Sequence, residues 1–160
     1  MNAYQAEQIA AFELIRLHLP KLKKQLHRTQ ADPLEAYLAF RQETDRYFDQ
    51  YFAGICNTTR YQNQHSACCS RDGIITFFAD MVINILYSNG SVLDRMALRL
   101  QTPHLGLKCL YLSPGGCMWT IKPVVCQMFL CERAQLEVFS QCPQAREQWD
   151  TLTRRRRDFT

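Results

Sequence analysis

Apolar positions in the first third of the chain recur at helical spacing. Between Ala3 and Leu19, the residues Ile9, Phe12, Ile15 and Leu19 fall near one face. Glu7, Glu13 and Arg16 lie between them, which predicts an amphipathic helix. Pro20 is expected to break or kink it, leaving Lys21 to His27 as a short basic continuation. A second helix has a legible start, with Asp32 as N-cap, Pro33 at the first helical position and Glu35 three residues after the cap. It should run to about Phe52, with Leu34, Leu38, Tyr47, Phe48 and Tyr51 available for a core face. These two runs predict an N-terminal helical hairpin over residues 1–55.

Beyond Cys69 the punctuation is denser. Ser70-Arg71-Asp72-Gly73 reads as a turn, Thr76 as a cap for a helix through about Tyr87, and Ser88-Asn89-Gly90 as its stop. Ser91 with Asp94 opens another helix, which Thr102-Pro103 ends. From His104 to Pro123, Gly106, Pro114, Gly115, Gly116 and Pro123 preclude a long regular element. Helical pattern returns over Val124 to Phe139, and Pro143 begins a last polar helix running toward the terminal arginines. The expected fold is mainly α and forms one domain. The hairpin packs on a cysteine-rich helix-and-loop half (56–142), followed by a C-terminal helix and basic tail (143–160).

Composition changes the picture at one residue type. The chain has eight cysteines, five of them in the run Cys109-x7-Cys117-x8-Cys126-x4-Cys131-x10-Cys142. The others are Cys56 and the adjacent pair Cys68-Cys69. The start of the chain lacks the pattern of a secretory signal. The longest apolar run, Ile74 to Tyr87, contains Asp80 and Asn84 and is too short to span a membrane. A cytosolic location is therefore expected. Disulfides rarely persist there, so thiols in such number point to a metal–thiolate site, with a disulfide framework or unliganded thiols as the alternatives. The formal charge of +4 resides in Arg154 to Arg157. A solvated, frayed helix end accounts for such a run, which argues against a nucleic-acid interface.

The segments Cys109-Leu110-Tyr111-Leu112, Gly116-Cys117 and Lys122-Pro123-Val124-Val125-Cys126-Gln127-Met128-Phe129-Leu130-Cys131 resemble the YkgJ-type (CxxCxxCC) family of zinc- or iron-chelating domains. Lys122 and Gln127 stand where that family has arginines, and Leu130 where it has proline. The family's C-x-x-C-x-x-C-C first half corresponds here to Gln62-x2-His65-x2-Cys68-Cys69, with Ile75 and Asp80 resembling its following apolar-plus-Asp segment. The resemblance covers about residues 56 to 131. It implies a metal ligand set of His65, Cys68, Cys69, Cys109, Cys117, Cys126 and Cys131. Cys56, near the register, would stand in for the missing ligand at Gln62. Eight groups exceed one four-coordinate ion, so they suit two sites, a cluster plus an ion, or one site with non-ligating thiols.

Neighbouring thiolates seldom reach one tetrahedral zinc. The Cys68-Cys69 pair therefore favours an iron–sulfur cluster such as 4Fe–4S, while His65 favours a zinc or iron ion. Cys142 reads as either a helix-end neighbour or an extra ligand, and His18, His27 and His104 as ordinary surface histidines. Met81, Met96, Met118 and Met128 read as core fillers, and Trp119 and Phe129 as a shield for the site. No C-x-x-C, H-E-x-x-H, G-x-S-x-G, Walker loop or G-x-G-x-x-G occurs, and no acid–base pair is legible. Three functions are compatible with this sequence. One is a cluster- or metal-binding protein with a redox or enzyme-accessory role. Another is a structural-zinc module whose helices and basic tail dock a protein partner. The third is a free-standing enzyme whose metal keeps an open coordination position.

Overall fold

The protein is described by a computed structural model covering residues 2–29, 31–56, 69, 76–104, 109–113 and 115–159, except for the side chains at 27–29, 31, 32 and 56. It is mainly helical. Helices α1 (Ala3–Thr29), α2 (Ala31–Tyr51) and the single turn α3 (Ala53–Cys56) come first, then α4 (Phe78–Tyr87) and α5 (Gly90–Gln101). A two-residue hairpin, β1 (Leu112–Ser113) and β2 (Gly116–Cys117), precedes α6 (Val124–Gln127), α7 (Glu132–Gln141) and α8 (Pro143–Arg156). A 3₁₀ turn, Arg157–Phe159, closes the described chain.

Helix α1 does not end at Pro20 but passes through it to Thr29. Pro20 is exposed, so the carbonyl one turn earlier that loses its N–H partner can be hydrated. Leu19 and Leu22, on either side, pack on the same core. Tertiary burial outweighs the local penalty. Helix α2 starts one residue before the expected cap, leaving Pro33 in a first turn where a missing N–H breaks no intrahelical bond.

The two N-terminal helices serve different cores. From α1, Phe12 and Ile15 join Met81 and Ile85 of α4, Leu93, Met96 and Leu100 of α5, and Leu110, Tyr111 and Trp119. From α2, Tyr37, Phe40 and Tyr47 join Phe52, Val124, Met128, Leu130, Ala134, Val138, Ala145 and Leu152. Helix α4 lies between them. It turns Met81 and Ile85 to the first core and Ile83 to the second, which explains why it is apolar on nearly every side. Its two polar residues are structural. Asp80 accepts a hydrogen bond from the Phe77 amide (2.9 Å) at the helix start. The fully buried Asn84 accepts from the Ile121 amide (3.0 Å) and donates to the Met96 sulfur (3.3 Å). Three of the four methionines expected to fill the core are buried, and Met118 packs on its margin.

Helix termini follow side-chain chemistry. Asn89, rather than Ser91, caps α5 by accepting from the Val92 amide (3.0 Å). Pro143 opens α8 as expected. The arginine run is not frayed. It stays helical through Arg156, and Phe159 docks behind it, 5.0 Å from the Phe40 ring and 5.6 Å from Tyr37. Arg155 lies over the Phe40 ring and pairs with both Glu43 oxygens at 2.7 Å. An aromatic residue beyond the charges supplies the burial that the charges themselves lack.

Candidate metal centre

The segment 109–131 runs from the first core to the second, and the cysteines lie along it. Cys109 is held by its amide, which donates to the Cys69 carbonyl (2.7 Å). Its own carbonyl accepts from the Leu112 amide (3.1 Å), closing a turn. The Leu110 carbonyl in that turn is anchored by Arg99 Nε of α5 (2.7 Å). The hairpin then pairs Leu112 with Cys117, and the Met118 amide reaches back to the Tyr111 carbonyl (3.0 Å). Gly116 sits at φ 103°, a conformation that costs glycine little, and Ser113 Oγ bonds its carbonyl (2.8 Å). The turn thus starts on the backbone of buried Cys69, and the hairpin fixes Cys117 opposite Leu112.

Cys126 arrives from the other direction. Pro123 starts the short helix α6, and α2 grips both of its ends. Arg41 Nη2 donates to the Lys122 carbonyl, and Gln127 Nε2 donates to Asp45 Oδ1. Arg41 and Asp45 are four residues apart on one helix face, so a single face of α2 positions the whole 122–127 segment. Burial holds the Asp45 and Asp80 carboxyls above the usual carboxylate range, and Arg41 partly offsets the shift at both.

The Tyr4 hydroxyl of α1 lies within electrostatic reach of a thiol from each of these segments. It is buried, and although Thr76 stands beside it, no hydrogen bond of ordinary geometry closes. Its pKa is pushed up to about 12, by burial first and then by the thiol groups of Cys109, Cys126 and Cys117, with Thr76 acting the other way. Tyr111 is raised by burial and then by Tyr4, Cys109 and Cys117, and its hydroxyl donates to Gln8 Oε1 (2.9 Å). Three sulfurs from the turn, the hairpin and α6 are thus within electrostatic reach of one N-terminal side chain. They are soft donors suited to zinc or iron. Among the described residues, no group of three His, Cys, Asp or Glu side chains is itself placed to hold an ion. No disulfide joins the described cysteines.

His65, Cys68, Gln62 and Ile75 lie outside the described residues, as do the Ser70–Gly73 turn and the side chains of Cys56 and His27. Cys131 has a different setting. It is the N-cap of α7, its sulfur accepting from the Ala134 amide (3.5 Å), and it packs against the α2 core. Cys142 ends α7 and precedes α8, donating its amide to the Val138 carbonyl (2.9 Å). Trp119 is buried edge-on to Tyr111, 5.0 Å between ring centroids. Phe129 lies further out than Trp119. It is 43 % exposed in the turn between α6 and α7, where its neighbours Met128 and Leu130 take the inward positions. His18 is exposed, and His104 Nδ1 lies 3.0 Å from Arg99 Nη2 as part of the α5 end.

Sequence reading passed over Tyr4 and Arg41. Tyr4 precedes Gln8, Phe12 and Ile15 on the apolar face of α1, where it reads as core. Arg41 carried a signal. It is a charge at helical spacing inside the stripe Leu34, Tyr37, Thr44 and Phe48, a place where an unexplained charge implies a buried partner. Comparison with protein-family models, curated proteins and solved structures returned no match. The YkgJ-type resemblance therefore rests on the motif residues quoted above. Among the described residues, no helix is long and apolar enough to cross a membrane.

Proposed function

We propose that this chain is a cysteine-ligated metal protein of the YkgJ type, with an iron–sulfur cluster as the bound group and a redox or enzyme-accessory role. One observation carries the reading: Cys109, Cys117 and Cys126, from three separate segments, all lie within electrostatic reach of the buried Tyr4 hydroxyl, while the Cys69 carbonyl accepts a hydrogen bond from the Cys109 amide. Cys68, Cys69 and His65 complete the proposed ligand set. The adjacent pair Cys68-Cys69 favours a cluster, whose separate irons can take separate thiolates. Cys131 is assigned to helix capping rather than to the centre. A thiolate site of this kind belongs in a reducing compartment such as the cytosol.

Anaerobic purification followed by elemental and sulfide analysis is the test. Brown protein with iron and inorganic sulfide, bleaching on reduction, is the expected result. A colourless protein holding one zinc would replace the redox role with a structural-zinc interaction module. Protein with no transition metal and eight titratable thiols in the folded state would end the metal reading altogether.

A further inference from the structure

Helix α1 is apolar on two opposite faces, and the fold buries only one of them. Phe12 and Ile15 are buried, with Ile9, Leu19 and Leu22 packed on the same core. On the far side, Glu7, Ala10, Leu14, Leu17, Lys21 and Lys24 recur at alternating intervals of three and four residues. On an α-helix that spacing forms a single strip about 100° wide, the seam along which two helices pack as a coiled coil. All six side chains are exposed, Leu14 at 49 % and Leu17 at 75 %. Beside Leu17 a groove of about 430 Å³ opens between α1 and α5, lined by Ile9, Phe12, Ala97 and Leu100. Among the described residues, no ion pair includes Glu7, Lys21 or Lys24; the pairs are Arg133–Glu137 and Arg155–Glu43.

The order of residues along this strip is its own complement. The acids of α1, Glu7 and Glu13, lie in its first half, and Lys21, Lys23 and Lys24 lie in its second. A copy of the strip turned end for end about the midpoint of Leu14 and Leu17 sets Leu14 against Leu17, Ala10 against Lys21 and Glu7 against Lys24. Leucine contacts then form the centre. The aliphatic stem of each Lys21 covers an alanine while its ammonium reaches water. Each end carries a pair of opposite charges. A parallel pairing instead sets Glu7 on Glu7 and each lysine on its own copy, so charge selects the antiparallel arrangement. A two-fold contact between identical chains requires this kind of patch, one complementary to itself.

We propose that the outer face of α1 docks a second copy of this chain, forming an antiparallel α1–α1 pair about a two-fold axis between Leu14 and Leu17. The proposal is independent of the metal reading, since α1 contains no cysteine. One helix pair with its adjoining grooves belongs at the small end of protein interfaces. The expected behaviour is a reversible monomer–dimer equilibrium in the micromolar range.

Sedimentation equilibrium of the full chain over a concentration series tests it, in reductant so that thiols do not cross-link. Wild type is compared with Leu17→Glu, Glu7→Lys, Lys24→Glu and the double exchange Glu7→Lys/Lys24→Glu, with circular dichroism as the folding control. Wild type should dimerise. Leu17→Glu should be monomeric throughout, because a carboxylate then meets Leu14 of the other copy on both sides of the axis. Each single reversal places like charges at both ends and should weaken the dimer about ten-fold. The double exchange restores opposite charges at both ends and should return to within about three-fold of wild type.

A wild type that stays monomeric at millimolar concentration overturns the proposal and leaves the face to a partner of a different kind. A dimer that Leu17→Glu leaves intact overturns it too, since the contact then lies on another face. Single reversals without rescue by the double exchange refute the antiparallel pairing. Should Leu17→Glu not fold, the charge exchange alone decides.

Discussion

Cysteines of this chain occupy two kinds of place, although the sequence sets them side by side. Cys109, Cys117 and Cys126 lie on a turn, a hairpin strand and a one-turn helix, all within electrostatic reach of Tyr4. Cys131 and Cys142, the next two along the chain, sit at the two ends of α7 and pack against the aromatic core of α2 and α8. Only four residues lie between Cys126 and Cys131, fewer than the seven between Cys109 and Cys117. Proximity in sequence does not assign a thiol its task. What decides it is whether the surrounding backbone is spent on its own helix or left free to aim side chains at a shared point.

Substitution of the first group should have the largest effect. Cys109→Ser, Cys117→Ser and Cys126→Ser are each expected to reduce metal content from near one site per chain to near zero. Because binding and folding are coupled, a structural metal site contributes on the order of 10 kcal/mol of apparent stability. Cys142→Ser should leave metal content unchanged. Elemental analysis of the four variants side by side reads this directly, and the reverse pattern would break the division proposed here.

The aromatic core offers the next largest test. Phe40 is fully buried, stacked on Phe159 and covered by Arg155, so Phe40→Ala should cost about 3–5 kcal/mol. Urea unfolding measures it. If the cysteine region is organised separately, metal content of the still-folded variant should survive this loss.

Tyr4→Phe should give effects of opposite sign in the two states of the protein. Without metal, deleting an unpartnered buried hydroxyl should stabilise the fold by about 1 kcal/mol. With metal bound, the same change removes a donor aimed among the thiols and should speed metal release. Thermal unfolding of both forms compares the signs, and identical shifts would show that the hydroxyl does not face the centre.

The helix-end thiols predict smaller changes. Cys131→Ala removes the acceptor for the Ala134 amide and should cost about 0.5–1 kcal/mol, whereas Cys131→Ser should restore or improve the cap. Neither should change metal content. Loss of metal from Cys131→Ser would move Cys131 into the first group. Smallest of all, Glu43→Gln removes the pairing with Arg155. Both side chains are more than two-fifths exposed, so the cost should stay below about 1 kcal/mol and shrink further in high salt.

Much of the helical architecture was legible from periodicity and punctuation. The apolar face of α1, the stop at Ser88, the end of α5 at Thr102 and the start of α8 at Pro143 are local features, set by side chains within a turn of one another. Where local and tertiary forces disagree, burial prevails. Pro20 should interrupt α1, but Leu19 and Leu22 share a core and the helix continues. The arginine run should fray, but Phe159 fastens it. Helices α1 and α2 follow one another and are in contact, and each also buries its apolar face in a core of its own.

By itself the sequence determined that the chain is mainly helical and that five of its eight cysteines fall in one stretch. Residue type and spacing carry that information without reference to partners. Only the tertiary structure put the Cys109, Cys117 and Cys126 thiols within electrostatic reach of Tyr4, made the Cys131 sulfur an acceptor at the start of α7 and buried the Arg41 guanidinium against the Lys122 carbonyl. Those relations join residues far apart in the chain, such as Tyr4 with Cys109 and, 81 positions apart, Arg41 with Lys122. Their partners are chosen by packing, which no local pattern encodes.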